Sequence, residues 1–315
     1  MVLSTGSPPR SSKATRRKAR YKARAAPGRR PYSPRSIRRD HIMSLIEAII
    51  LGIVQGLTEF LPISSSAHLV IVPFVFGWQV PPEQAFVFGV LVQIGTLVAV
   101  MVYFWQDLKG ILMACVRGLL QGRPFAGEQA RLGWYLILAT IPAGLFGLLV
   151  KDQVEAAFSD ARAAVLFLVV TAGLLLAAER IGRRDRPLQQ MNWLDALWMG
   201  IAQAAAIFPG ISRSGASIAG GLARHLDRTS AARFSFLMSV PVMLAAGLLA
   251  ALDLLETPNL AQFLPVLAAG FVTAAVVGYL AIRWLLAYLT RHSLAVFAYY
   301  CLALAGVVLI MSYAR

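Results

Sequence analysis

Charge is scarce in this chain, and the little there is lies unevenly. Only 14% of the 315 residues are Asp, Glu, Lys or Arg, against 58% apolar. With a mean hydropathy of +0.65, that scarcity excludes an ordinary soluble domain and points to an all-α polytopic membrane protein. Cysteine is scarcer still. Cys115 and Cys301 are the only two, which excludes a disulfide framework and a thiolate metal site. Both lie in or beside apolar stretches, where cysteine acts as a small hydrophobe. Of the few histidines, His225 and His292 stand among arginines at helix ends and read as structural.

Acid is nearly missing from residues 1–42, which hold 13 of the 30 Lys and Arg but one of the 15 acidic residues, a net +12. The rest of the chain carries 17 basic and 14 acidic residues, a net +3, so the +15 total says little about the membrane body. The first 42 residues also lack an apolar core, which excludes a cleavable signal peptide and a spanning helix. Three readings of this extension compete. It is a disordered arm drawn to anionic headgroups, at about 1 kcal/mol per basic residue. It is a non-specific nucleic-acid binder. Or translation starts at Met43, where Met-Ser-Leu-Ile opens the first membrane element directly. The body itself suggests no nucleic-acid partner, only the lipid bilayer. The expected organisation is this extension followed by one membrane domain over 43–315, with repeat halves at about 44–180 and 192–315.

Long apolar stretches lie at about 86–106, 132–150, 162–178, 232–252, 264–289 and 294–313. Each is long enough to cross a hydrocarbon core of about 30 Å as a helix. Four shorter ones, at 45–61, 67–76, 194–208 and 215–223, suit two pairs of re-entrant half-helices, which are tolerated at membrane depth where they line a cavity.

The shorter stretches belong to two copies of one unit, EAIILGIVQGLTEFLPISSSAHLV at 47–70 and DALWMGIAQAAAIFPGISRSGASI at 195–218. A constant offset of 148 pairs Gly52 with Gly200, Gln55 with Gln203, Phe60 with Phe208, Ser64 with Ser212 and Ser66 with Ser214, and extends to Phe88 and Phe236. A duplicated unit with interrupted helices predicts an inverted repeat with a polar site between its halves.

In the first copy, Gln55 and Glu59 are one helical turn apart on one face. A carboxylate within so apolar a segment is costly and marks a functional site by default; the alternative is a hydrogen bond that merely locks two helices. Pro62 ends that helix. Ser64, Ser65 and Ser66 follow, as N-caps for the next helix and as hydroxyls beside its anion-favouring amides. His68, one turn after Ser65, completes a set suited to proton transfer and nucleophile activation. In the second copy, Pro209-Gly210 ends the matching helix and Ser212-Arg213-Ser214 opens the next. Arg213 occupies the place of Ser65, and its planar fork suits either Glu59 or a phosphate. Ile207 replaces Glu59 and Ala216 replaces His68. The first half therefore carries the acid and base, and the second a phosphate clamp.

Gln55-Gly-Leu-Thr-Glu59-Phe-Leu-Pro-Ile-Ser-Ser-Ser-Ala-His68 and Pro209-Gly-Ile-Ser-Arg213-Ser-Gly-Ala-Ser217 resemble the two signature segments of bacterial undecaprenyl-diphosphate phosphatases of the bacitracin-resistance type. The resemblance runs from about Ser44 to the C-terminus. It implies hydrolysis of undecaprenyl diphosphate to the monophosphate that carries cell-wall precursors, in the bacterial inner membrane, with a divalent cation, Mg2+ or Ca2+. By position, Glu59, Ser65, His68 and Arg213 take the catalytic roles, and Glu59 with Gln55 the metal. Ser64, Ser66, Gly210, Ser212, Ser214 and Ser217 are expected to bind phosphate. Three positions depart from the family pattern: Gln55 stands where many members have Glu, Ala67 where Gly is usual, and Ser217 where Thr is usual. Gln55 weakens the case for a two-carboxylate metal site.

Two mechanisms are open on this reading: Ser65 as nucleophile with His68 assisting its deprotonation, or direct attack by water activated by Glu59 or His68. A lipid-phosphate flippase or anion transporter on the same scaffold is the alternative function, and the Glu59–Ser65–His68 set is what a carrier has no need of. The basic arm favours a cytoplasmic N-terminus; the resemblance favours a pocket open to the periplasmic face. Oligomeric state is not set by the sequence, which is compatible with a homodimer.

Overall fold

A computed structural model describes residues 43–80, 82–150, 161–255 and 260–314. The basic extension 1–42 lies outside the described residues. What is described is helical throughout: α1 Leu45–Phe60, α2 Ser65–Phe76, α3 Pro82–Tyr103, α4 Trp105–Leu120, α5 Glu128–Leu149, α6 Ala161–Ile181, α7 Trp193–Ala205, α8 Arg213–Ala223, α9 Arg228–Leu255, α10 Leu260–Leu289 and α11 Ala295–Ala314. Five of these (α5, α6, α9, α10 and α11) are long and apolar enough to cross a membrane, and α3 with α4 forms a sixth candidate bent by 76°. That agrees with the six expected stretches. The four short stretches fall on α1, α2, α7 and α8.

Each re-entrant pair starts the same way. Ser44 caps α1 and Asn192 caps α7, and each makes a reciprocal capping box with the acid three residues on, Glu47 and Asp195. The offset of 148 relates the two caps, the two acids and the helix starts. The helix ends differ. α1 runs to Phe60 and stops at Leu61, because the residue before a proline is pushed out of the helical region. α7 stops earlier than expected, at Ala205. The chain then tightens through Ala206 N–H to Gln203 O and Ile207 N–H to Ala204 O, i→i+3 bonds of the kind that satisfy orphan carbonyls at a fraying end. Pro209 therefore follows the helix end by four residues instead of causing it.

α4 was hidden in the sequence, where the apolar stretch fades near residue 106. After the 76° bend at Phe104, the helix alternates Asp107, Lys109 and Arg117 with exposed Leu112, Met113, Val116 and Leu120, the pattern of a helix lying at an interface.

The re-entrant helices are clasped from across the sequence: α1 packs on α10, and α7 on α5. Paired glycines permit this. A Cβ on Gly52 would stand 2.7 Å from the Gly270 carbonyl, and one on Gly200 would collide with the Ala139 carbonyl. Small residues at such crossings let backbones approach closely within a membrane. Between the clasps lies a core built on Phe60, Phe104 and Phe236, with Phe60 and Phe236 edge to face at 5.4 Å.

Ion pairs gather several helix ends at one pole. Asp195, fully buried, pairs with Arg186 at 2.7 Å and Arg224 at 2.8 Å. The hydrogen bond from Arg186 to Asp195 raises the Arg186 pKa above its ordinary value, against the effect of burial. Glu179 accepts from Arg184, Arg228 and the Leu294 amide, tying α6, α9 and α11. Arg233 joins α9 to α4 through Asp107 at 2.9 Å.

Candidate active site

The two breaks meet. Gly210 N–H donates to Ser66 Oγ at 3.4 Å, Ser214 Oγ–H to the Leu61 carbonyl at 3.1 Å, and Arg213 Nη2 to Glu59 Oε1 at 3.1 Å. Residues about 150 apart in sequence thus form one polar cluster between the re-entrant tips. Within each break the serines repeat one arrangement. Ser64 and Ser66 hydroxyls lie 3.2 Å apart, as do Ser212 and Ser214. Ser64 caps α2 by accepting from Ala67 N–H, and Ser212 caps α8 by accepting from Gly215 N–H.

Glu59 is the hub and is buried. Its Oε2 accepts from Gln55 Nε2 at 3.0 Å and from Ser65 Oγ at 2.7 Å, while Oε1 takes Arg213. The helix spacing of Gln55 and Glu59 delivers the first bond, and the sharp turn at Ser64 swings Ser65 back for the second. Arg213 is half satisfied. Its Nη2 reaches Glu59, but Nε and Nη1 are buried without a partner among the described residues. Buried donors of a cation are expensive to leave unmade, so the guanidinium is set to receive an anion.

His68 does not join Ser65, although both sit in the first turn of α2. Its Nδ1 lies 2.7 Å from the Ser64 carbonyl and its Nε2 2.8 Å from the Tyr300 hydroxyl. The group within reach of the Ser65 proton is Glu59. Ser217 lies a layer behind the cluster, donating to the Arg213 carbonyl at 2.7 Å with its oxygen 2.6 Å from Ser235 Oγ; it braces the backbone that carries Arg213. Gly210 adopts φ 104°, and a Cβ there would stand 2.5 Å from the Ala164 carbonyl, so the turn admits only glycine.

Two participants escaped the sequence. Tyr300 on α11 contacts His68 across 232 residues. Thr171 on α6 donates to the Gly210 carbonyl and accepts from Ser212 N–H, both at 3.0 Å, pinning the second break. A hydroxyl on an apolar helix gives no local signal of such a role. Gln203, the counterpart of Gln55, is buried with neither amide atom partnered among the described residues. A separate cavity of about 430 Å3 lies at the basic pole, lined by Asp107, Arg131 and Arg233 among others and by none of the residues around Glu59.

No group of three or more His, Cys, Asp or Glu side chains able to cage a metal occurs among the described residues. Glu59 offers one carboxylate, and Gln55 a carbonyl oxygen once its amide is turned. That set fits a hard divalent cation only when a phosphate ligand supplies further oxygens, a common arrangement for Mg2+.

Comparison with known proteins matches the chain to a family. A family model described as bacitracin resistance protein BacA covers residues 48–307. The chain belongs to that family. Among its relatives, an undecaprenyl-diphosphatase of Chlorobium phaeovibrioides is 46% identical over 280 residues, 85% of this chain and 97% of the relative. Undecaprenyl-diphosphatases of Moorella thermoacetica and Thermomicrobium roseum are 44% and 43% identical, each covering 87% of this chain and their own full lengths. All of the cluster around Glu59 and Arg213, with Tyr300, falls within the span of the BacA match.

Proposed function

We propose that this BacA-family protein hydrolyses undecaprenyl diphosphate to undecaprenyl phosphate and inorganic phosphate within the bacterial inner membrane, returning the carrier to cell-wall synthesis. The observation that supports it most is the pair of buried, unpartnered N–H groups of Arg213 beside the Glu59–Ser65 hydrogen bond. One offers donors to an anion; the other is a nucleophile already joined to an acceptor.

The diphosphate takes Arg213 Nε and Nη1, with Ser212, Ser214, Ser64, Ser66 and the first amides of α2 and α8 supplying further donors. Competition for Arg213 loosens its bond to Glu59 and leaves that carboxylate freer to act. Ser65 Oγ attacks the terminal phosphorus as its proton passes to Glu59 Oε2. The bridging P–O bond breaks and undecaprenyl phosphate departs with the electron pair. Water, its proton taken by His68 Nε2, then attacks the phosphoserine; the P–Oγ bond breaks, Ser65 recovers its proton from Glu59, and inorganic phosphate leaves. Fixed donors around a dispersed charge supply most of the catalysis in such transfers. A divalent cation, held by Glu59 and Gln55 together with substrate oxygens, would neutralise phosphate charge as it develops. Rapid quench of the protein with terminally radiolabelled substrate tests the covalent step: a phospho-Ser65 adduct in the first turnovers is expected, and its absence in repeated early time points would transfer the attack to water.

The two halves are read as an inverted repeat, the tail resting in a groove open to lipid. Arg184, Arg186, Arg224, Arg228 and Arg233 cluster on helix ends and turns through the ion pairs of Glu179, Asp195 and Asp107, whereas 43–108 contains no Lys or Arg. The tendency of basic residues to lie in cytoplasmic loops supports reading that pole as cytoplasmic and Met43 as periplasmic. This is opposite to what the arm alone suggests, and the site is read as opening outward, where spent carrier is released.

A further inference from the structure

His68 is held by two partners, and the motif contains only one of them. Ser64, the N-cap of α2, adopts φ 69°, a left-handed conformation that costs a non-glycine residue and persists where its surroundings enforce it. Its carbonyl accepts from the His68 amide at 3.3 Å and from Nδ1 at 2.7 Å. A carbonyl can only accept, so Nδ1 carries the proton and Nε2 of the neutral ring is an acceptor. The Tyr300 hydroxyl, 2.8 Å away, donates to it. The two rings lie nearly parallel, 8° apart in plane with centroids at 5.7 Å. Tyr300 comes from α11, which packs along α6, so the contact links His68 to the helix whose Thr171 pins the second break.

We infer that Tyr300 is a positioning residue for the reaction, its hydroxyl aligning Nε2 of His68 and guarding that nitrogen until water replaces it. The inference rests on the phosphatase reading. Without the hydroxyl, no group among the described residues holds Nε2: Glu59 is occupied by Gln55, Ser65 and Arg213, and the Ser64 carbonyl holds the other nitrogen. The ring is then fixed at one edge only, and the second half-reaction slows because its base is misaligned. Substrate affinity is expected to be untouched, since the Tyr300 hydroxyl bonds to His68 and to neither Arg213 nor the serines among the described residues.

Tyr300→Phe keeps the ring and its stacking and removes only the hydroxyl. Loss of one aligning hydrogen bond in the second half-reaction alone predicts a fall in kcat of about tenfold with a parallel fall in KM, so that kcat/KM holds within about twofold. In a His68→Gln background the same change is expected to alter kcat by less than about twofold, because coupled residues are not additive. The imidazole nitrogens of 15N-histidine-labelled protein give a readout without turnover, with His68 assigned by its disappearance in His68→Gln. In Tyr300→Phe the Nε2 resonance moves towards that of an unbonded acceptor while the Nδ1–H signal stays. Wild-type kcat with an unmoved Nε2 resonance overturns the inference, as does a full tenfold loss in the His68→Gln background. Absence of phosphate release by the wild type would instead overturn the phosphatase reading, leaving the resonance to judge the Tyr300–His68 bond by itself.

Discussion

Glu59 accepts from Gln55, Ser65 and Arg213 at once, and each donor has a different use. Removing Arg213 leaves a buried carboxylate without its counter-charge, a change that costs stability as well as function. Arg213→Ala is therefore expected to lower both Tm and phosphate release. Arg213→Lys keeps the charge and loses the fork, so it is expected to hold Tm near wild type while release falls about 100-fold or more. Equal Tm losses in both variants would contradict the separation. Gln55→Glu restores a second carboxylate next to Glu59, so half-activation is expected at a severalfold lower Mg2+ concentration; an unchanged titration midpoint would remove Gln55 from the cation site. These positions were legible in the sequence because charge and amide inside an apolar helix are costly and need a reason. Tyr300 and Thr171 were not, because a hydroxyl-bearing residue on a membrane helix is ordinary and its partner lies far along the chain. The pairing of Ser65 with Glu59 instead of His68 also escaped, since both spacings allow contact and only the φ 69° turn at Ser64 decides between them.

At the scale of the elements, the breaks are sterically confined turns. Gly210 combines a left-handed φ with a backbone wall at Ala164, so Gly210→Ala must shift the chain that presents Ser212 and Arg213. It is expected to lose on the order of 2 kcal/mol or more and to depress activity beyond its loss of Tm. Gly144→Ala on α5, where an added Cβ meets nothing within 4 Å, is the control and is expected to be silent in both. Asp195→Asn removes the anion from beneath Arg186 and Arg224 and is expected to destabilise by about 3 kcal/mol, read as a lower Tm in detergent with KM unchanged. The proline-marked end of α1, the serine caps and the four short helices could be read from the chain, since each has a local cause. The early end of α7 and the bend at Phe104 could not. Both follow from hydrogen bonding and packing that no single window of sequence contains.

At the scale of the whole molecule, two clasped hairpins share one cluster at their tips, and the basic pole is proposed to face the cytoplasm. Single cysteines introduced into a variant lacking Cys115 and Cys301 test that orientation. Ser44→Cys is expected to react with an impermeant maleimide from outside intact cells, and Gln121→Cys only after the membrane is opened; the reverse pattern would invert the topology. The duplication was legible as an unbroken offset of 148, and it singled out the two breaks that the structure brings together. It could not tell how the halves exchange partners, α1 on α10 and α7 on α5, because those contacts depend on glycine faces that meet only in the folded chain. The central claim is a phosphatase sited between the breaks. Release of inorganic phosphate from undecaprenyl diphosphate by the purified protein, with and without EDTA and beside Glu59→Gln and Arg213→Ala, tests it most directly. The account predicts cation-dependent release in the wild type that is lost in both variants; no release from folded wild-type protein, or undiminished release in either variant, would contradict it.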